Sequence, residues 1–217
     1  TEFPKSLLTI PSPPVLLYYK GDISILNNKP CIAIIGTREA TKYGLEKATE
    51  FAFILAEQGY VIISGLAIGC DTAAHVGALN AKGLTAAVLS QGLNEIYPEA
   101  NQKLSDDILS TSGCLISEYP PGFKANKYTF IERDRLQSGL SKAVIVIETD
   151  IQGGTMHTVE AAIKQKKFIG VLLPLKMSED ISQTRGIKKL MEDINIKAIS
   201  SELELNSFLA TKTTLFN

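Results

Sequence analysis

Short unbroken apolar runs alternate with segments of helical spacing along most of this chain, and that alternation constrains its fold more than any other feature. The runs cover residues 32–35, 60–63, 85–89, 114–116, 143–147 and 168–172. Their apolar residues are consecutive rather than alternating with polar ones, the pattern of strands covered on both faces. Between the first two runs, Leu45, Ala48, Phe51, Ala52 and Leu55 recur at helical spacing, and residues 72–79, 101–109 and 156–163 do the same. The expected fold is therefore α/β: a doubly wound, mostly parallel sheet with right-handed crossovers. Gly59, Gly83 and Gly113 stand at helix-to-strand joints, where the spacing predicts left-handed helix C-caps.

The flanks are less regular. Residues 1–30 hold five prolines, and Pro13-Pro14 forbids regular helix there. A short strand is expected at 15–19, within a lead-in segment packed on a single core domain at 31–217. Beyond Pro174 the pattern weakens to a polar loop at 175–185, a helix near 188–191, a short strand at 196–199 and a last helix at 202–209. No apolar run nears the ~20 residues that span a bilayer, so no membrane association is expected. Three cysteines, Cys31, Cys70 and Cys114, lie too far apart for a metal motif or a disulfide framework, which implies a reducing, cytoplasmic setting. Net charge is −1, so any nucleic-acid binding must come from a local patch.

Twice a buried run empties into a small-residue turn that opens a helix. The first turn is Gly36-Thr37-Arg38, where glycine admits a ligand close to the backbone and arginine suits bidentate phosphate contacts; a tight turn with a solvated arginine is the plainer account. The second runs from Ser64-Gly65 to Gly69-Cys70-Asp71 and could form an anion nest. Dinucleotide and P-loop fingerprints are both absent. Asp71 is expected to cap the following helix, and His75 to be a packed structural histidine. Further on, residues 123–142 carry five basic side chains against two acidic ones, a local +3, with Tyr128 and Phe130 among them. Cations for phosphates and rings for bases are what a single-strand binder needs, although such a stretch can also be a solvated face. After the fifth run, 143–147, comes Gly153-Gly154-Thr155, a turn that opens a helix and so offers an anion site at its N-terminus. No nucleophile stands beside a base and no metal-ligand set is evident, so neither metal nor cofactor is expected.

Five segments then acquire a common meaning. IGTREATKYG, SGLAIGCDTAAH, GLNEIYPEAN, SEYPPG and FIERDRLQSGLS resemble, in order and spacing, the successive motifs of the DNA-processing protein A (DprA/Smf) family, over roughly residues 3–209. The resemblance implies an extended Rossmann-like single domain that binds single-stranded DNA without sequence preference. It also implies a homodimer and a role in DNA recombination and natural transformation, loading RecA. Phe130, Arg133 and Arg135 match the family's F-P-x-R-N-R pattern, while Ile131 and Asp134 replace its proline and asparagine. A carboxylate there either opposes phosphate binding or orients a neighbouring arginine. The expected site comprises Gly36, Thr37, Arg38, Ser64, Gly65, Gly69, Lys127, Phe130, Arg133, Arg135, Gly153, Gly154 and Thr155. Its turns, at 36–38, 64–71, 117–122 and 148–155, are expected to converge along the C-terminal ends of the strands. Gly153-Gly154-Thr155 is also similar to a turn of the lysine-decarboxylase-like (LOG) phosphoribohydrolases. The alternative is therefore a nucleotide hydrolase assisted by Glu148 or Glu160, or a nucleotide sensor, in the same cleft.

Overall fold

The computed structural model describes residues 2–178 and 180–213; residues 214–217, assigned above to the core, lie outside them. Among the described residues the strands are β1 (Tyr18–Gly21), β2 (Cys31–Ile35), β3 (Val61–Ser64), β4 (Thr85–Leu89), β5 (Cys114–Ser117), β6 (Ala143–Val146), β7 (Phe168–Leu172) and β8 (Lys197–Ile199). They form one sheet in the order β1-β5-β4-β3-β2-β6-β7-β8. Every pairing is parallel except β1 with β5. The helices are α1 (Ile25–Asn28), α2 (Lys42–Glu57), α3 (Cys70–Asn80), α4 (Gln102–Ser110), α5 (Lys127–Leu140), α6 (Thr155–Lys164), α7 (Ser182–Leu190) and α8 (Glu202–Thr213). This is the doubly wound α/β fold that the alternation of runs demands.

Apolar residues fill both faces of the sheet. Ala33, Ile35, Ile63, Val144 and Val146 share one cluster with Leu136 and Leu140 of α5 and Val159 of α6. Ile32, Ile34, Ile62 and Ile145 share another with Phe51 and Leu55 of α2 and Ala74 of α3. Consecutive strand residues point to opposite faces, and both faces are covered, so continuous apolar runs are the physical requirement.

Three local features depart from the sequence pattern. Residues 127–140, read above only as a charged stretch with aromatics among the cations, form a helix. Asn126 caps it, with its side chain accepting from the Tyr128 and Thr129 N–H groups while Thr129 Oγ1 accepts from Asn126 N at 2.9 Å. The polar stretch at 175–185 likewise yields to α7 from Ser182 onward. At the helix-to-strand joints Gly59 is left-handed, but beside Gly83 and Gly113 the left-handed residues are Lys82 (φ 54°) and Ser112 (φ 63°).

Residues 2–30 pack on the core through Leu7, Ile10, Ile23, Ile25 and Leu26. A short 3-10 helix at Lys5–Thr9 lies against α5, and Leu7 is fully buried beside Leu136 and Leu140. A Cβ at Gly139 would stand 2.8 Å from Leu7 Cδ2, so α5 admits the lead-in only because it is bare there. Strand β1 then extends the sheet against β5. Replacing Leu7 with alanine is expected to cost about 2–5 kcal/mol of stability in urea unfolding. Replacing the fully exposed Val15 should change it by under about 0.5 kcal/mol. Equal effects would show that the lead-in does not share the core.

Candidate functional site

Sheet order identifies where a ligand can sit. From β2 the chain winds outward through β3, β4 and β5, then returns to place β6 on the other side of β2. At such a reversal the loops leaving neighbouring strands diverge to opposite faces and leave a crevice at the C-terminal edge. A cleft of about 500 Å³ lies there. Gly36, Thr37 and Arg38 enter it from the end of β2; Thr149, Gly153, Gly154, Thr155, His157 and Thr158 from the β6–α6 segment; Lys127, Phe130, Arg133, Asp134 and Gln137 from α5; and Asp71 from α3.

Its mouth is stitched in place by backbone and side-chain bonds. Thr37 N donates to Glu148 O at 2.8 Å and Cys70 N to Thr37 O at 3.2 Å. The buried Glu148 carboxylate accepts from Thr41 N at 2.7 Å and Thr41 Oγ1 at 2.6 Å, while Thr41 Oγ1 caps α2 by accepting from Gly44 N. Burial raises the Glu148 pKa and these donors pull it back. Gly69, at φ +83°, allows α3 to begin against the carbonyls of Thr37 and Arg38, 2.5 and 2.6 Å from where its Cβ would be.

The floor is a buried polar network centred on Arg133, which is 5% exposed. Its Nη1 donates to Val88 O at 2.7 Å. With the Gln137 amide oriented to satisfy its neighbours, that oxygen accepts from Arg133 Nη1 at 2.7 Å and from Gly65 N at 2.9 Å. Asp71 Oδ2 also accepts from Gly65 N, at 3.1 Å. Asp134 Oδ1 lies 3.4 Å from Arg133 Nε, an ion-pair contact that leaves Nε without a hydrogen-bond acceptor among the described residues. A Cβ at Gly65 would fall 1.8 Å from Arg133 Nη1, so this glycine exists to admit the guanidinium. Burial pushes both carboxyls up against the pull of Arg133, that of Asp134 to about 7. Burial and the same guanidinium push His75 down to about 3, with its Nδ1 2.6 Å from Thr85 Oγ1; it is a neutral packing residue.

The walls are different in character. Arg38 is exposed and lies over the Phe130 ring, 4.9 Å from its centroid, and Phe130 meets Tyr97 at 6.2 Å and 57°. Lys127 is exposed on the first turn of α5. The N-terminus of α6 has no side-chain cap; Met156 N and His157 N donate to Gly153 O and Gly154 O, and the amides of Gly154 and Thr155 are left at the cleft.

Of the residues expected from sequence, Gly36, Thr37, Arg38, Lys127, Phe130, Arg133, Gly153, Gly154 and Thr155 line this one cleft, with Arg38 and Arg133 on the same side of the sheet edge. Gly65 borders a small adjoining hollow with Arg38, Ile68, Tyr97 and Phe130. Ser64, Gly69 and Arg135 do not line it. Ser64 is buried and donates to Ile34 O at 2.7 Å. Arg135 points along the opposite side of α5, its Nη2 donating to Glu118 Oε1 at 2.7 Å and its Nε to Ser12 O. The turn at 117–122 also stays apart, because β5 is three strands from β2; Tyr119 stacks on Phe123 there. Asp71 does not cap α3: Gly69 holds that position, and the Asp71 carboxylate turns back to the Gly65 and Ala67 amides. Sequence reasoning missed Gln137 and His157. Lys127, Phe130, Asp134 and Gln137 are spaced three, four and three apart, a single helix face readable only once the segment is known to be helical.

Comparison with known proteins follows the same lines. A family model described as DNA recombination-mediator protein A matches residues 1–209. Protein Smf of Synechocystis sp. is 35% identical over 207 residues, 94% of this chain and 51% of the relative. DNA processing protein DprA of Streptococcus pneumoniae is 40% identical over 167 residues, 77% of this chain and 58% of the relative. The chain thus spans about half the length of the curated relatives it matches. A solved structure of DNA processing protein A from Helicobacter pylori, described for its single-stranded DNA binding mode, superposes with TM-score 0.85 at 32% identity, covering 99% of this chain and 94% of that one.

The floor and the walls should respond differently to mutation. Arg133→Ala strands two buried carboxyls and is expected to cost about 3–5 kcal/mol in denaturant unfolding, whereas Arg38→Ala should change stability by less than about 0.5 kcal/mol. Asp134 is neutral in both states below its ordinary value of 3.8. As pH climbs from there through about 7, the unfolded chain is ionised while the native one resists, so native stability is lost across that window. Asp134→Asn removes the loss. Its melting temperature should exceed the parent's by more at about pH 8 than at about pH 5.

Proposed function

The chain belongs to the DNA recombination-mediator protein A family, and on that premise we propose that the cleft between β2 and β6 binds single-stranded DNA without sequence preference. The observation that carries this reading is the wall in which Arg38 stacks over Phe130, beside Lys127 and the uncapped start of α6. Arg38 and Lys127 take phosphates; the amides of Gly154 and Thr155 hold another, that of Gly153 being bonded to Asp150 O. Phe130 and Tyr97 offer ring faces that any base can stack on. Gly36 and Thr37 let the backbone approach the strand, and Arg133, bonded to Val88 O and facing Asp71 and Asp134, holds α5 in place beneath the site. The single-stranded DNA binding described for the Helicobacter pylori protein supports the same assignment.

The wider role follows the family: DNA processing for recombination and transformation in the cytoplasm, as a homodimer, with RecA as the protein partner. A nucleotide hydrolase in this cleft has less support. Both oxygens of Glu148 are engaged by Thr41, on the side of a separate hollow lined by Tyr43 and Leu172, and Glu160 is exposed outside the cleft.

Titration of labelled oligo-dT by fluorescence anisotropy over a range of salt tests the reading. Affinity should fall linearly in log–log form, and Arg38→Ala or Lys127→Ala should each flatten the slope by about 0.7. Phe130→Ala should cost about 1–3 kcal/mol of binding with the slope unchanged. Lys103→Ala, on the far surface of α4, should bind as the parent does. Parental binding by both the Arg38 and Phe130 variants would remove the cleft from consideration.

A further inference from the structure

The cleft floor carries more negative than positive charge. Asp71 and Asp134 share one buried guanidinium, and that guanidinium also serves Val88 O and Gln137. A phosphate entering above would be a third anion over a single buried cation, in a place where water screens little. One of the carboxyls must give way, and the two are not equivalent. Asp71 accepts from the backbone amides of Gly65 and Ala67, which favours its ionised form. Asp134 has no backbone donor among the described residues: its partners are Thr158 and Arg133, and it lines the cleft itself.

We propose that Asp134 is a proton-linked specificity residue of this cleft: when a phosphodiester enters, the carboxylate takes one proton from solvent, and the neutral acid lies beside the strand as a hydrogen-bond donor. No bond other than the O–H bond forms. The inference rests on the single-strand reading above and goes beyond it, because it makes strand binding and proton uptake one event. A carboxyl already raised by burial to about 7 needs little further push. The charged or titratable groups around it are Arg133 on its own helix, Asp71 on α3, Arg38 on the loop after β2, His157 on α6, and Lys127 and Glu39 at the rim. Of these, His157 is the rival source of a pH effect, since histidine is the side chain that ordinarily titrates in this range.

The test is oligo-dT affinity at constant salt between about pH 6 and about pH 8.5, for the parent, Asp134→Asn and His157→Gln. The parent should weaken by up to about tenfold per pH unit above about 7, the limit for one linked proton. Asp134→Asn, neutral at every pH and able to donate, should hold its affinity across the range. His157→Gln should keep the parental slope whatever its affinity. Calorimetry in a sulfonate buffer and in Tris, whose ionisation enthalpies differ, should count about one proton taken up per strand near pH 7.5 by the parent and by His157→Gln. That count decides the matter even if the asparagine variant fails to fold. A flat parental profile with no proton uptake overturns the inference, as does a parental slope retained by Asp134→Asn or abolished by His157→Gln. Strand binding that persists with a flat profile leaves the single-strand reading standing; no binding at any pH overturns both.

Discussion

A buried guanidinium holds this site together. Arg133 reaches from α5 across the ends of the central strands to the carbonyl of Val88, and in doing so fixes the helix over the crevice beside β2. Burying such a charge is expensive unless it is paired and hydrogen-bonded, and removing it would leave the carboxyls opposite it stranded. The neighbourhood is built around that requirement. Gly65 is bare so that the guanidinium fits, Gln137 accepts one of its N–H groups, and Asp71 and Asp134 supply the counter-charge. The network does more to specify one arrangement than to stabilise the fold, since ion pairs of this kind seldom repay their desolvation in full.

Above the network the cleft divides its cations by exposure. Arg133 is sealed in the floor, while Arg38 and Lys127 stand in solvent, where a long phosphate chain can reach them. Exposed cations are worth little to folding. In the proposed single-strand reading they contribute to binding, because each phosphate they neutralise releases counterions. What makes Arg38 useful is the rigidity of the loop that carries it. Thr37 is bonded to the ends of β6 and α3, and Thr41 to Glu148, so the arginine is presented from a fixed base and rests on the Phe130 ring. A site organised before its ligand arrives loses less entropy on binding.

The lead-in shows the same economy on the other side of α5. Leu7 and Ile10 fill the space left by Gly139, and Arg135, on that side, is tied to Glu118 and to the carbonyl of Ser12. One helix therefore carries the cleft on one face and anchors the amino-terminal segment on another. Two arginines only two residues apart serve the two faces, because a helix turns ~200° over two residues.

Much of this was legible in the linear chain, and for a definite reason. Consecutive apolar residues suit only strands buried on both sides, and helical spacing between them leaves the doubly wound sheet as the economical arrangement, so the strands and the turns at 36–38 and 153–155 could be placed from residue order alone. Motif order pointed to the family in the same way. Residue order could not tell Arg133 from Arg135, or an exposed cation from a buried one. Nor could it show that 127–140 is a helix, since its polar character obscures the stripe from Lys127 to Gln137 and only the Asn126–Thr129 cap betrays its start. Those distinctions depend on which side of a helix meets the sheet, and that is decided by contacts between segments far apart in sequence. Residue order was enough for the layers and the turns; which charges are dry and which are wet came only with packing, because burial is a property of the packed chain and not of any residue within it.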